Sequence, residues 1–384
     1  MKTINIFGVT GSVGLSSVKV LKQHQDKFSV NAITGGNNVE LLAKLAVELN
    51  AKYAVIANET KFETLKSLLS GTDIKIDCGK GGLLRAAEQE VDICLAAIVG
   101  YAGLKPTMRS LKYAKRVALA NKECLVAAGE LFIAEAKKHG CEILPVDSEH
   151  SAMFQCLQGS QNKQMEKILL TASGGPFRRY TMDEMRHITL KQALKHPNWN
   201  MGAKITIDSA TMMNKGNELI EAFYLFPVSL EQIEVVVHKQ SIIHSMIQYC
   251  DGSIIAQLGA PEMGTAIAYA IGWPNRLELD FKRLDLFEIA ELSFEKPDEK
   301  RFKCLSLSKY AVKQGGTCAT VLNAANEVAV DAFLKNKISF LNIADICEET
   351  INKAQSKNII VNASELNDIC EVDTMARQIA MTLF

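Results

Sequence analysis

Residues 3–14 read Thr3-Ile4-Asn5-Ile6-Phe7-Gly8-Val9-Thr10-Gly11-Ser12-Val13-Gly14, and this stretch decides the fold of the chain around it. A strand-like apolar run ends at Phe7, and glycines then follow at a spacing of three before a helical pattern begins at Leu15. Small residues in such a turn let the backbone approach a pyrophosphate, and the helix N-terminus supplies N–H donors. The stretch predicts a dinucleotide site, with a tight turn that binds no ligand as the alternative.

Outward from this turn, the first 147 residues alternate strand-like runs with helical patterns. Such alternation is typical of a parallel sheet covered by helices, so we predict an α/β fold with a Rossmann-like nucleotide-binding domain over residues 1–147. In sheets of this kind, ligands bind beyond the carboxyl ends of the strands. The strand-like runs are residues 3–7, 28–33, 53–57, 74–76, 91–98, 116–120 and 141–146.

The pattern changes in the remainder of the chain. Strand-like runs over residues 232–258 are broken by Asp251-Gly252, which is a hairpin signal. Residues 171–202 form a long stretch rich in Gly, Pro and Asn, which predicts a functional flap loop. The predicted parts are a central α+β domain (148–273), an irregular linker (274–300) and a C-terminal helical bundle (301–384).

Composition excludes several classes of protein. The 384 residues are enough for two or three domains. Lys and Arg total 43 and Asp and Glu total 43, so no net charge is available to hold nucleic acid or an acidic membrane. The apolar runs are too short to span a bilayer, and the first residues read as a strand and not as a signal peptide. The ten cysteines lack zinc-ligand spacing, so we expect reduced thiols in a cytoplasmic protein.

The second predicted strand ends in Gly35-Gly36-Asn37-Asn38. A site for NAD usually places Asp or Glu here to hold both ribose hydroxyls, and a carboxylate would repel the 2′-phosphate of NADP. No carboxylate is present in this tetrapeptide, which favours NADP, although no Arg or Lys stands there either.

Asp147-Ser148-Glu149-His150 follows the seventh predicted strand. In extended geometry, Asp147 and Glu149 point the same way, and two neighbouring carboxylates repel each other unless a cation lies between them. Oxygen ligands of this kind suit Mg²⁺ or Mn²⁺ better than Zn²⁺. The alternative is a solvated turn, capped by Ser148 or Asp147, before a helix that starts at Ser151.

Residues 207–218 carry a second polar cluster. If 211–224 is a helix, Asn214, Lys215 and Glu218 share one face, and Ser209 lies just before its N-terminus. Hydroxyl, amide and ammonium groups together suit a phosphate, and Glu218 is a possible third oxygen ligand for the metal. An amphipathic helix with an internal Lys215–Glu218 pair is the alternative.

Three further motifs remain. Ser173-Gly174-Gly175 and His196-Pro197-Asn198-Trp199 lie in the predicted flap, where Trp199 either covers a ligand or fills a gap in the core. Asn121-Lys122-Glu123 follows the sixth strand, so Lys122 can face the substrate and its neighbours the cofactor. A polar helix start with Asn121 as N-cap is the alternative.

In chain order the motifs are Gly-x-Thr-Gly-Ser-x-Gly, Ala-Asn-Lys-Glu, Pro-Val-Asp-Ser-Glu-His, Ser-Gly-Gly-Pro-Phe, His-Pro-Asn-Trp-x-Met-Gly, Asp-Ser-Ala-Thr-Met-Met-Asn-Lys-Gly and Asn-Ala-Ala-Asn-Glu-Val-Ala. Together they resemble the 1-deoxy-D-xylulose 5-phosphate reductoisomerase family over the whole chain. The resemblance implies an NADPH- and metal-dependent homodimer, joined through a central catalytic domain, with Mg²⁺, Mn²⁺ or Co²⁺ as the metal. It also implies a small phosphorylated sugar as substrate and 2-C-methyl-D-erythritol 4-phosphate as product, in non-mevalonate isoprenoid synthesis.

The resemblance also assigns residues to roles. The metal ligands are Asp147, Glu149 and Glu218, and the catalytic residues are Lys122, Glu149 and His196. The substrate contacts are Lys122, Ser148, Glu149, Ser173, His196, Ser209, Asn214, Lys215 and Glu218. The cofactor contacts are Thr10, Gly11, Ser12, Val13, Gly36, Asn37, Asn38, Asn121, Glu123 and Gly202. Asn37 stands where many members carry a basic residue, and Asn217 stands where an aliphatic residue is expected.

Two other functions stay open. An NADP-dependent semialdehyde dehydrogenase would need an activated cysteine, for which Cys124 is the candidate, and would need no carboxylate trio. A dinucleotide sensor without enzymatic activity would need neither the trio nor the phosphate cluster.

Overall fold

The structure is a computed structural model that describes residues 1–196, 199 and 201–384. Pro197, Asn198 and Asn200 of the predicted flap lie outside the described residues. The strands are β1 (Lys2–Phe7), β2 (Phe28–Gly35), β3 (Tyr53–Ile56), β4 (Lys75–Cys78), β5 (Val91–Ala96), β6 (Ala114–Leu119), β7 (Glu142–Pro145), β8 (Met165–Ala172), β9 (Ile233–Val237), β10 (Ile243–Tyr249) and β11 (Ile254–Leu258).

Helices connect these strands and fill the C-terminal part of the chain. They are α1 (Ser12–Gln23), α2 (Val39–Glu48), α3 (Phe62–Leu68), α4 (Gly79–Ala87), α5 (Leu104–Ser110), α6 (Glu123–His139), α7 (Ser148–Cys156), α8 (Met182–Met185), α9 (Leu190–Ala193), α10 (Ala203–Ala210), α11 (Met213–Leu225), α12 (Met263–Gly272), α13 (Leu286–Ile289), α14 (Lys303–Gln314), α15 (Cys318–Leu334), α16 (Asn342–Ser356) and α17 (Leu366–Met381).

The chain folds into two compact units. The first comprises Met1–Cys124, Phe132–Ser151 and Glu262–Lys282, and the second comprises Leu125–Leu131, Ala152–Pro261 and Arg283–Phe384. The finer division into a nucleotide domain, a central domain, a linker and a helical domain stays a prediction.

A seven-stranded sheet forms the first unit, in the order β4-β3-β2-β1-β5-β6-β7. All of its strand pairs are parallel. Apolar side chains such as Ile4, Ile6 and Leu95 are buried, as expected for a sheet with helices on both faces. Each of the seven predicted strands is therefore confirmed. Strands β2 to β4 lie on one side of β1, and β5 to β7 lie on the other. The strand order therefore reverses between β1 and β5, and this is the topological switch point where such sheets bind ligands.

The turn between β1 and α1 requires glycine. Gly8 has φ +82°, a left-handed conformation that side chains disfavour. A methyl group at Gly14 would lie 2.3 Å from the carbonyl oxygen of Gly8 and 2.5 Å from that of Val9. Helix α1 can thus approach the end of β1 only because residue 14 has no side chain.

The second unit contains a four-stranded sheet in the order β11-β10-β8-β9. Strands β8 and β9 are parallel, while β10 pairs antiparallel with both β8 and β11. The predicted hairpin at Asp251-Gly252 is confirmed, and the Asp251 carboxylate accepts hydrogen bonds from Ser253. The four predicted C-terminal helices are confirmed as α14 to α17, and their apolar faces join one core that includes Leu305 and Phe333.

Two helices replace the single helix predicted over residues 211–224. Helix α10 ends at Ala210 and α11 begins at Met213, because Met212 between them adopts a left-handed conformation with φ +60°. Ser209 consequently lies in the last turn of one helix and shortly before the start of the next.

Most of the predicted flap packs into the core of the second unit and is not a plain loop. Phe177, Met185, Ile188 and Ala193 are buried in the core. Capping boxes at Thr181 and Thr189 start the short helices α8 and α9. The sequence prediction missed this packed structure. The four buried apolar residues are irregularly spaced, so their pattern matches neither the period of a helix nor that of a strand.

Arg301 fixes the beginning of the same segment. Its guanidinium group donates hydrogen bonds to the backbone carbonyls of Arg178, at 3.1 Å, and of Tyr180. It also forms a salt bridge of 2.7 Å with Asp298. The described part of residues 171–202 is therefore held by side chains from outside the segment.

Two further expectations can be compared with the described residues. None of their helices has both the length and the apolar character needed to cross a membrane. They contain no disulfide bond, and the thiols of Cys94, Cys304 and Cys347 are fully buried with a raised pKa because burial disfavours the thiolate.

We predict that Gly14→Ala lowers the free energy of unfolding by roughly 1–3 kcal/mol, since an added methyl group must displace backbone. Urea denaturation followed by circular dichroism measures the change. Gly36→Ala is the matched control, because a methyl group there would have no atom within 4 Å. Equal stability of the two variants would contradict the close packing of α1 on β1.

Candidate active site

Four turns at one edge of the seven-stranded sheet carry the predicted residues of the first unit. They follow β1, β2, β6 and β7, and their carboxyl ends share that edge because the strands are parallel. The residues are Thr10 to Val13, Gly36 to Asn38, Asn121 to Glu123 and Asp147 to Glu149. Gly202 is the exception among the predicted cofactor contacts, since it is the N-cap of α10 in the second unit.

Backbone groups dominate the turn after β1. Gly11 is the N-cap of α1 and has no side chain, so no cap competes with a ligand for the first N–H groups of the helix. After β2, the Asn38 side chain accepts a hydrogen bond of 3.1 Å from the Leu41 N–H and so caps α2. The Asn37 amide oxygen accepts one of 2.9 Å from Asn58. Asn37 thus offers a ligand an amide donor and no positive charge.

Asn121 joins two turns of the same edge. Its side-chain amide donates to the carbonyls of Ile98 and Gly100, the latter at 2.9 Å, and its oxygen accepts from the Cys124 N–H at 3.1 Å. The residue is buried, so these bonds fix the loop after β5 to the start of α6. The alternative predicts Asn121 as the N-cap of α6. In the structure, the N-cap is Lys122.

Lys122 and Asp147 form a salt bridge whose side chains are only 7% and 11% exposed. The buried imidazole of His150 lies 3.8 Å from the same carboxylate. Burial alone would raise the pKa of Asp147, but the positive charge of Lys122 and the neighbouring His150 imidazole hold it well below its usual range. Asp147 is therefore a carboxylate at neutral pH and can act as a metal ligand.

The extended geometry assumed for Asp147 and Glu149 is wrong. Strand β7 ends at Pro145 and α7 already begins at Ser148, because the Glu149 N–H donates to the Asp147 carboxylate and the Ser151 N–H to its carbonyl. Asp147 thus caps the helix, as the alternative predicts, but the helix starts at Ser148 and not at Ser151, and the Asp147 side chain is only 11% exposed. The Ser148 hydroxyl donates to the Glu149 carboxylate.

In the second unit, Ser173 and His196 are brought together. The Ser173 hydroxyl lies 3.2 Å from Nε2 of His196 and accepts a 3.2 Å hydrogen bond from the Gly175 N–H. The Trp199 N–H donates to Nδ1 of His196 at 2.9 Å, so a neutral His196 carries its proton on Nε2 and donates it to Ser173. The hydroxyl proton of Ser173 is then available to an acceptor such as a phosphate oxygen.

Burial lowers the pKa of His196 to about 4. His196 is therefore neutral at physiological pH and acts as a hydrogen-bonding group. Trp199 is half-buried, and its indole ring lies 6.1 Å from the imidazole of His244. Whether the indole covers a ligand or only fills the core stays a prediction.

Helix α11 gathers Asn214, Lys215 and Glu218 on one face, as predicted. Both Asn214 and Lys215 donate to the Glu218 carboxylate, and Glu218 is buried. Gly175 packs against Ser209, since a methyl group on Gly175 would lie 2.7 Å from the Ser209 carbonyl oxygen. The second unit thus places the Ser173 turn next to the segment that leads into α11.

The sequence interpretation missed three buried polar residues near these groups. Burial, together with the positive charge of Lys215, lowers the pKa of His244 to about 4. Asp208 accepts a hydrogen bond from Asn326 and pairs with Lys204. A lone histidine in an apolar strand carries no sequence signal, but Asp208 and Asn326 both lie within quoted motifs. Conversely, Cys124 is fully buried, which leaves its thiol inaccessible to a substrate.

Three family models match the chain. The one described as 1-deoxy-D-xylulose 5-phosphate reductoisomerase matches residues 4–129. The model of the 1-deoxy-D-xylulose 5-phosphate reductoisomerase C-terminal domain matches residues 143–226, and that of the DXP reductoisomerase C-terminal domain matches residues 258–379.

Full-length relatives agree with the models. The 1-deoxy-D-xylulose 5-phosphate reductoisomerase of Phocaeicola vulgatus is 50% identical over 383 residues, which cover 100% of this chain and 99% of the relative. That of a Geobacillus species is 49% identical over 385 residues, with 100% of both chains covered.

Solved structures give the same result. The Zymomonas mobilis enzyme in complex with NADPH superposes with a TM-score of 0.93 at 45% identity, covering 100% of this chain and 98% of the other. A DOX-P reductoisomerase in complex with NADPH, fosmidomycin and magnesium has a TM-score of 0.94 at 41% identity with the same coverage. By its motifs, its length and its fold, the chain belongs to the 1-deoxy-D-xylulose 5-phosphate reductoisomerase family.

Proposed function

We propose that this chain converts 1-deoxy-D-xylulose 5-phosphate into 2-C-methyl-D-erythritol 4-phosphate, with NADPH as reductant and a divalent metal ion. The observation that carries the proposal is that the glycine turn, Lys122 and Asp147 all lie at the carboxyl edge of one parallel sheet. A nucleotide at that turn and a cation at Asp147 would then share one edge. Family membership supplies the substrate and the product.

The donor set of the chain suits a hard cation. We propose Asp147, Glu149 and Glu218 as ligands, since all three offer carboxylate oxygens of the kind that Mg²⁺, Mn²⁺ or Co²⁺ accepts. Lys122 beside Asp147 and Lys215 beside Glu218 balance the negative charge of the site. When bound, the metal polarises the substrate's carbonyl and adjacent hydroxyl oxygens, and NADPH supplies the hydride.

The reaction breaks the C3–C4 bond of the substrate, joins C4 to C2 and reduces the resulting aldehyde. The protein's own part is to position these atoms, and its remote contacts to the phosphate serve that purpose. Ser173, Ser209, Asn214 and Lys215 supply hydroxyl, amide and ammonium donors for the phosphate. Lys122 supplies an ammonium group near the reacting oxygens, and neutral His196 orients Ser173.

NADPH is proposed to bind along the turns that contain Thr10 to Val13, Gly36 to Asn38, and Asn121 with Glu123. Lacking a positive charge at Asn37, the chain is expected to prefer NADPH over NADH less strongly than relatives with a basic residue there. Gly202, at the start of α10, is the proposed contact from the second unit.

Assembly and location are part of the same proposal. We propose a homodimer joined through the central domain, because Ile254, Ile255 and Leu258 are exposed on the edge strand β11. Exposed apolar edge strands are typical of surfaces that pair with another chain. The neutral net charge and the reduced thiols support a cytoplasmic protein that binds neither nucleic acid nor membrane.

Neither alternative function fits as well. A semialdehyde dehydrogenase needs an accessible thiolate, but Cys124 is 0% exposed. A sensor without enzymatic activity has no use for the paired Lys122–Asp147 and Lys215–Glu218 groups.

The direct test is NADPH oxidation, followed by the absorbance of the reduced nicotinamide, with 1-deoxy-D-xylulose 5-phosphate. We expect turnover that needs both the sugar phosphate and Mg²⁺. Asp147→Asn should abolish turnover while NADPH affinity stays unchanged, because one metal ligand is lost and the glycine turn is not touched. Turnover without added metal in the chelator-treated protein would contradict the metal assignment.

Lys215→Ala tests the phosphate site. A lost charge-assisted contact corresponds to roughly 1.5–3 kcal/mol, so the KM for the sugar phosphate should rise by about one to two decades. Steady-state kinetics at saturating NADPH measure it. Lys353→Ala, on the surface of α16, is the control and should leave the KM unchanged. A normal KM in Lys215→Ala would refute the assignment.

The neutral imidazoles predict how stability depends on pH. The pKa of His244 falls from 6.5 to about 4 on folding, so the unfolded chain binds the proton more readily between these values. Stability contributed by the neutral form is complete above about pH 6.5 and is lost as the pH falls towards 4. When the pH falls from about 7.5 to about 5, the unfolding free energy of the parent should decrease by roughly 1–2 kcal/mol more than that of His244→Asn. Urea denaturation measures the difference, and His187→Asn, at an exposed position, should behave like the parent.

A further inference from the structure

A buried polar triad lies at the helix that follows the flap. The Asp208 carboxylate accepts a hydrogen bond of 2.8 Å from the side-chain amide of Asn326 and forms a salt bridge of 2.7 Å with Lys204. The side chain of Asp208 is only 2% exposed, while that of Lys204 is 20% exposed. Both oxygens of the carboxylate are thus engaged, one by α15 and one by the first turn of α10 itself.

The triad sits between the flap and the proposed phosphate contacts. Helix α10 starts directly after Gly202, so Lys204 lies in its first turn and Asp208 in its last. Ser209 is the next residue, and its carbonyl oxygen touches Gly175 and accepts the Met212 N–H at 3.2 Å. Any rotation of α10 about its axis would move the Ser209 hydroxyl and the start of α11 together.

Stability alone gives no reason for this arrangement. A buried ion pair contributes little compared with apolar side chains of similar volume, and is better explained by a need for one fixed geometry. The surrounding face of α15 is also poorly satisfied: the Asn326 amide oxygen and both amide atoms of Asn323 are buried with no hydrogen-bond partner. Buried polar groups are usually hydrogen-bonded in native proteins, so stability does not explain this face of α15.

We propose that Asp208 is a positioning residue for the phosphate subsite. Through Asn326 it fixes the rotation of α10 on the helical bundle, and through Lys204 it fixes the helix start beside the flap. The result is a fixed direction for the Ser209 hydroxyl and a fixed origin for α11, which carries Asn214 and Lys215. The inference rests on the proposed function for the identity of the phosphorylated ligand.

Kinetics of Asp208→Asn and Lys204→Met test the proposal. Both should raise the KM for the sugar phosphate and the inhibition constant of inorganic phosphate by roughly tenfold, the size of one weakened charge-assisted contact. The kcat should change by less than about threefold at that scale, and NADPH affinity should stay unchanged. Lys204→Arg keeps the charge and should therefore keep the parent KM.

The matched control is an exposed pair of the same chemistry. Asp331 in α15 and Lys335 at its C-terminal cap are also four residues apart and 2.7 Å from each other, but both side chains are 60% exposed. Asp331→Asn and Lys335→Met should therefore leave every constant unchanged.

The outcomes separate positioning from a merely structural role. A structural role would reduce the folded fraction, which lowers the apparent kcat and leaves the KM as it is. An unchanged KM in Asp208→Asn overturns the inference, as does a KM in Lys204→Arg as high as that in Lys204→Met. If Asp208→Asn does not fold, the two Lys204 variants decide alone. Absence of turnover in the parent would instead refute the proposed function.

Discussion

All strands of the seven-stranded sheet run in one direction, and this constraint determines where chemistry can occur in the first unit. Because the carboxyl ends share one edge, turns from distant parts of the sequence meet there without any special loop. The glycine turn after β1 and the Lys122–Asp147 pair after β6 and β7 lie at the same edge of the sheet for this reason. Gly8 and Gly14 then allow α1 to start close to the strand end, so that its N–H groups face the same edge.

Three of the carboxylates that we assign to a role have a lysine partner. Asp147 pairs with Lys122, Glu218 with Lys215 and Asp208 with Lys204. Burying one charge without its partner would be strongly destabilising, whereas the pair is close to neutral in free energy. Pairing therefore lets the protein keep these carboxylates ionised in a buried environment.

Much of the fold could be predicted from sequence, for identifiable reasons. The strands of the first sheet are short, continuous apolar runs between turn residues, and α15 is a long helical pattern, so local signals agreed with the tertiary structure. The break at Met212 could not be predicted, because a left-handed methionine has no local signature and is imposed by packing. The predicted extended geometry of Asp147 and Glu149 is wrong for a similar reason. The side chain of Asp147 caps a helix that starts earlier than the hydrophobic pattern indicates.

The polar residues show the same limit. Asn214, Lys215 and Glu218 could be placed on one face by counting along a helix. The contact of Ser173 with His196 joins residues 23 apart, and that of Asp208 with Asn326 joins residues 118 apart, so both needed the folded chain. The sequence motifs contain most of these residues but do not show which of them contact each other.

Two features of the predicted flap segment affect ligand affinity. Phe177, Met185 and Ile188 are buried, and Arg301 donates hydrogen bonds to the backbone. Ordering a residue costs about 1–2 kcal/mol of backbone conformational entropy, and here that cost falls on folding. A ligand that contacts these residues meets a segment that is already ordered, so more of its contact energy remains as affinity. A substitution that removes the Arg301 contacts would shift this entropy cost from folding to ligand binding. It would therefore weaken the binding of a ligand that Arg301 does not contact.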